Sequence, residues 1–313
     1  MSEYREFSLK RIVVAVDFSG ASYGALNYAK QLAVRFSAKI VLAHVIDTRC
    51  DAEDMKQPQV SLPQQIDLAE IELQKIAAGL SEDGICHATI VRTGEIRKAI
   101  SDLVEEREAD LLVIGTRGKG NTDSKELGSV AETLLHAMPC PVLTVGKYVR
   151  MDACEGTHVR SVLFPTDFST ISRASLAYAE SLTKHLAGHL LLLHVTEEPS
   201  MEDKAEFQEL VRELKDPSII TEYIARTGRP AETIVAVSGE KCVDFIVMGV
   251  HGADQENGEC DYGIAFDVIR KAKCPVFTLL THPWIKRAET QENEVTEAEE
   301  FHRQQERLSL HHS

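Results

Sequence analysis

The chain has 313 residues, 43% of them hydrophobic and 27% charged, with a net charge of −15. That length suits two cores of about 150 residues better than one, and the composition excludes disordered and fibrous classes. The acidic balance argues against a general nucleic-acid binder, which draws its affinity from Lys and Arg, and no apolar run approaches the ~20 residues of a membrane span.

The opening stretch, MSEYREFSLKR, lacks the apolar block of a signal peptide, so a cytoplasmic protein is expected. Short Val, Ile and Leu runs then alternate with longer amphipathic stretches, the pattern of a parallel sheet flanked by helices. Strands are predicted at Ile12–Val16, Ile40–Ile46, Ala88–Arg92, Leu111–Gly115 and Val142–Val145. Helices are predicted near Ser22–Phe36, Gln64–Leu80, Glu95–Arg107 and Gly128–Ala137, with Ser22 as an N-cap and Pro139 as a stop. A second series follows, with strands at Val162–Thr166, Leu190–Val195, Ile220–Arg226, Phe245–Gly249 and Val276–Leu280.

The two series are a repeat. VVAVDFS at Val13 returns as LFPTDFS at Leu163, and LAHV at Leu42 as LLHV at Leu192, both displaced by 150 positions. RTG at Arg92 and Arg226, IGTRG at Ile114 against MGVHG at Met248, and CPV at Cys140 and Cys274 are displaced by 134. The difference falls in the polar segment around Asp47 to Gln65, present only in the first copy. Residues 1–150 and 158–283 are therefore expected to form two tandem doubly wound α/β domains, each with a five-stranded parallel sheet, right-handed crossovers and ligands beyond the carboxyl ends of the strands. Residues 284–313 read as an acidic polar tail, either solvated or an arm for a protein partner. Seven scattered cysteines without a CxxC pair read as reduced structural thiols.

An anionic ligand on so acidic a chain needs a local device, such as backbone N–H groups at a helix terminus. Gly115-Thr-Arg-Gly118, nine further residues, then Gly128-Ser129-Val130 offers one, because it follows a predicted strand and opens a predicted helix. Ser129 adds a hydroxyl, and Arg117, Lys119 and Lys125 are charge partners within the loop. Asp17, at a strand-to-helix turn, reads equally as a capping carboxylate and as a ligand contact. His44 and His194 recur at one position and read as buried, satisfied histidines, since no second ligand stands at metal spacing. Cys140 and Cys274, each before a proline, read as packing residues.

The Gly115-x2-Gly118-x9-Gly128-Ser129 string resembles the G-x2-G-x9-G-(S/T) signature of ATP-binding universal stress proteins, and VAVDFS, HVID, RTG and CPV extend the resemblance over both copies. It implies the adenine nucleotide alpha hydrolase-like fold, with Asp17 and the main chain near Val45 against adenosine. Gly115, Gly118, Gly128, Ser129 and Val130 would surround the ribose and phosphates of ATP, with or without Mg²⁺. The implied role is a nucleotide-responsive regulator in stress adaptation, with unnamed protein partners. A nucleotide-independent scaffold and a weak ATPase stand as alternatives; no Walker lysine motif supports efficient turnover. In the family the last strand pairs with that of another domain, so Val142–Val145 and Val276–Leu280 would cover each other or meet a second chain in a dimer.

The second copy departs from the signature. It keeps Asp167, Val195, Gly249 and Gly252, but ten residues precede Gly263, Ile264 replaces the hydroxyl, and the loop ADQENGECDY carries four carboxylates and no cation. Such a loop repels triphosphate, so the second domain is expected to be empty or to take another ligand.

Overall fold

The computed structural model describes residues 8–48, 60–116, 127–149, 160–196, 201–250 and 263–280. In the first repeat β1 (Arg11–Ala15), α1 (Gly20–Phe36), β2 (Lys39–Ile46), α2 (Leu62–Glu82), β3 (His87–Thr93), α3 (Ile96–Glu106), β4 (Leu111–Gly115), α4 (Ser129–Ala137) and β5 (Val142–Val145) follow in order. The second repeat runs β6 (Ser161–Thr166), α5 (Thr170–Leu186), β7 (His189–Thr196), α6 (Met201–Arg212), β8 (Ile220–Thr227), α7 (Pro230–Glu240), β9 (Phe245–Val250), α8 (Gly263–Lys271) and β10 (Val276–Leu280). Central strands such as β4 and β5 are buried and almost wholly apolar because helices cover both of their faces.

The strands form one sheet of ten in the order β3-β2-β1-β4-β5-β10-β9-β6-β7-β8. Each repeat keeps its five strands parallel, and β5 meets β10 antiparallel, which makes the whole sheet mixed. Of the two pairings open to the last strands, the chain makes the internal one. The Thr144 hydroxyl donates to the Val276 carbonyl and the Thr278 hydroxyl to the Val142 carbonyl, both at 3.1 Å. The displacement of 134 carries 142 to 276 and 144 to 278, so these reciprocal bonds mark a local two-fold axis between the repeats.

Apolar side chains gather into two cores, one on each face of the sheet. One joins α3 and α4 to α7 and α8; the other joins α1 and α2 to α5 and α6. Both cores draw on both repeats, and Tyr28 of α1 meets Phe245 of β9 edge-on, with ring centroids 6.1 Å apart. Burial across the junction thus ties the repeats together by the same area-dependent term that folds each of them. Among the described residues no helix is long and apolar enough to cross a membrane.

One expectation needs correction. Ser22 lies inside α1, where its N–H donates to the hydroxyl of the true N-cap, Ser19, at 3.2 Å. The cap falls three residues earlier because Phe18 turns the chain into the left-handed region at φ 61° and so frees Ser19 to close the helix.

Candidate functional site

The order β2-β1-β4 reverses direction between β1 and β4, which places a crevice beyond the carboxyl ends of these strands. Most of the sequence-selected residues come to this edge. Asp17 follows β1, Val45 lies near the end of β2, Gly115 ends β4, and Gly128, Ser129 and Val130 form the start of α4. Gly118, with Arg117, Lys119 and Lys125, lies outside the described residues, as does Gly252 of the second repeat.

Asp17 organises the turn into α1. The Ser19 amide and hydroxyl both donate to its Oδ1, at 3.0 and 2.6 Å, and Ser19 then caps the helix. The His44 ring stacks against Phe18, centroids 4.5 Å apart, while its Nδ1 pairs with the Val16 carbonyl at 2.6 Å. These contacts support a residue held at φ 61°, a conformation that costs a non-glycine side chain on the order of 1 kcal/mol.

The second repeat reproduces this turn closely. Asp167 Oδ1 accepts from the Ser169 amide and hydroxyl at 3.0 and 2.6 Å, Phe168 has φ 60°, and His194 Nδ1 pairs with the Thr166 carbonyl at 2.8 Å. Both histidines thus have one ring nitrogen on a carbonyl, in keeping with their reading as satisfied side chains. The left-handed phenylalanine is the element that sequence reasoning missed, although its recurrence in both DFS strings was the available signal.

Gly115 is also required by the fold. A Cβ there would stand 2.7 Å from the Ala21 carbonyl carbon and 2.9 Å from its oxygen, so the close approach is to the first turn of α1. That contact sets the Asp17 turn beside β4. The next residue, Thr116, is buried and anchors the loop that follows: its N–H donates to the Val145 carbonyl at 3.1 Å, and its carbonyl accepts the Gly128 N–H at 3.0 Å.

The start of α4 suits an anion. Gly128 is its N-cap and offers no side-chain cap bond, in contrast to Ser19 at α1. Ser129 and Val130 are exposed, and the first-turn amides, which lack intrahelical partners, carry the positive end of the helix dipole. The chemistry of these donors fits a phosphate. In the second repeat Gly263 opens α8 and is followed by Ile264, 40% exposed, which offers a branched apolar side chain and no donor.

The paired cysteines are core residues. Cys140 and Cys274 are buried, and burial, with a smaller push from Asp244, raises the Cys274 thiol to about 12. A thiol so raised is a poor nucleophile at neutral pH.

Comparison with known proteins agrees with this geometry. The model of the universal stress protein family matches residues 8–146 and again 158–279. Universal stress protein MJ0531 of Methanocaldococcus jannaschii is 32% identical over 148 residues, covering 44% of this chain and 82% of that protein. Universal stress protein Slr1230 of Synechocystis is 23% identical over 296 residues, 86% of this chain and 99% of its own length. A crystal structure of a universal stress protein from Archaeoglobus fulgidus shares the fold with a TM-score of 0.70 at 22% identity, covering 86% of this chain and 98% of that one.

Proposed function

For this chain, which belongs to the universal stress protein family, we propose that the first repeat binds ATP and the second does not, so that one nucleotide per chain regulates a partner interaction in the stress response. The observation that carries this reading is the contrast between two helix starts. Gly128-Ser129 is uncapped and exposed behind a complete glycine string, whereas Gly263-Ile264 follows a longer acidic loop and has no hydroxyl.

In this reading the amides of Ser129 and Val130 and the Ser129 hydroxyl hold the phosphates, and Gly118 allows the loop to approach them. Asp17 keeps one carboxylate oxygen for its turn and presents the other, with the main chain at Val45, to the adenosine. Gly115 acts at one remove, by admitting α1 to the crevice wall. Mg²⁺, where it accompanies the nucleotide, would neutralise phosphate charge on this acidic chain. The residues support binding and positioning rather than rapid turnover, and ordering of the 117–126 loop by phosphate is the proposed signal to a cytoplasmic partner.

Isothermal titration with ATP tests the proposal. One site per chain is expected, together with adenine nucleotide released on denaturing freshly purified protein. Two equal sites per chain, or none, would overturn it, and the second outcome would favour a nucleotide-independent scaffold.

A further inference from the structure

The last turn of α8, from the second repeat, comes close to Gly146 of the first repeat. A Cβ on Gly146, which follows β5, would lie 3.3 Å from the Ile269 carbonyl oxygen, 3.8 Å from Thr116 Oγ1 and 4.0 Å from the Ala272 carbonyl oxygen. Thr116 is the residue whose carbonyl holds the Gly128 N–H at the start of α4. The chain segment bearing Arg270 and Lys271 therefore ends near Thr116, one hydrogen bond away from the start of α4.

The local two-fold axis gives Arg270 a counterpart in the first repeat. On one side of the axis the His136 ring of α4 meets Phe266 of α8 edge-on, with centroids 5.1 Å apart. The displacement of 134 carries His136 to Arg270 and Glu132 to Phe266, so the counterparts of this pair across the axis are the positions of Arg270 and of Glu132, in the first turn of α4.

Arg270 is weakly committed within the protein. Its Nη1 reaches Asp267 on its own helix at 3.4 Å, and its Nε is buried without a hydrogen-bond partner, the one such side-chain atom among the described residues. A buried donor left unpaired is costly, and a guanidinium fork suits phosphate oxygens. The side chain nevertheless keeps 33% of its surface exposed, so its outer nitrogens remain reachable.

We propose that Arg270 of the second repeat contacts the phosphates of the nucleotide bound in the first repeat, so that the second repeat completes the first repeat's site. The inference rests on the ATP reading above and adds to it the residue that senses phosphate across the junction. It also gives the second repeat a reason to persist without a ligand of its own. The matching position on the other side of the axis is His136, whose pKa is lowered by burial against an opposing push from Glu132. A neutral imidazole there leaves the second repeat without the corresponding cation.

Titrations of the full chain with ATP and with adenosine, on wild type, Arg270→Gln and Arg270→Lys, test this, with thermal unfolding as the check on folding. Arg270→Gln should weaken ATP about tenfold and leave adenosine unchanged, because a charge-assisted bond is lost from the phosphate end alone. Arg270→Lys, which keeps the charge without the fork, should lose about two- to threefold on ATP only, and it carries the test should the glutamine variant fail to fold. An unchanged ratio of ATP to adenosine affinity in a folded variant, even with lowered stability, would show that Arg270 has only a structural duty and would overturn the proposal. Wild-type protein that binds no ATP would overturn the underlying reading as well, so the two failures are distinguishable.

Discussion

The turn after β1 and its counterpart after β6 are nearly the same object, whereas the starts of α4 and α8 are not. Asp17 and Asp167 hold Ser19 and Ser169 with equal distances, and Phe18 and Phe168 differ by one degree in φ. The helix starts diverge in hydroxyl and in the charge of the preceding sequence. A feature preserved where the phosphate string is broken is one that folding itself requires. The Asp-Phe-Ser turn therefore has a structural duty in both repeats, and any ligand contact by Asp17 is added to it. The proposed discrimination between the repeats therefore rests on the helix starts.

The largest expected effect breaks that contrast directly. Gly128→Glu puts a carboxylate where phosphate is held and should weaken ATP by about a hundredfold or more by titration, whereas Gly263→Glu should leave ATP affinity unchanged. Equal losses in both variants would abolish the distinction. Next, Gly115→Ala drives a methyl into the Ala21 backbone and should cost about 2 kcal/mol in urea unfolding, with α1 displaced from β4.

Asp17→Ala and Asp167→Ala sharpen the comparison. Each loses a capping turn and should cost about 1 kcal/mol of stability, but only the first should also reduce ATP affinity. Matched stability losses with no difference in binding would make Asp17 purely structural. The smallest effect is specific to the second repeat. Arg173 bridges Glu206 and Glu213, approaches Glu209 at 3.9 Å and donates from Nε to the Phe168 carbonyl at 3.1 Å; Tyr23 stands at this position in the first repeat. Arg173→Ala should cost at most about 1 kcal/mol, less at high salt, because the carboxylates are well exposed. Insensitivity of the measured loss to salt would point to packing of the arginine stem instead.

Much of the fold was legible because each element obeys a local rule. Val142–Val145 reads as a strand from its β-branched and apolar residues after a Cys-Pro pair, and the structure bounds it at the same residues. Gly128-Ser129 reads as a helix start from its place between a loop and an apolar repeat, and it is one. The first N-cap was misplaced because a phenylalanine at positive φ runs against single-residue preference, and only its contact with His44 shows how it is held. At Gly115 the structure adds a requirement that local spacing could not show, since the atom crowding it belongs to Ala21, which lies far away in sequence.

The sequence by itself determined the repeat, the strand and helix periods, the glycine string of the first copy and its damage in the second, because all of these are written in spacing and side-chain type along one stretch of chain. Tertiary structure alone decided that β5 and β10 close on each other, that two cores run through both repeats, and that the end of α8 comes close to Gly146 of the first repeat. Such long-range contacts depend on which exposed edge finds which partner, and that is settled by the burial and hydrogen bonding of the whole assembled sheet rather than by any local preference.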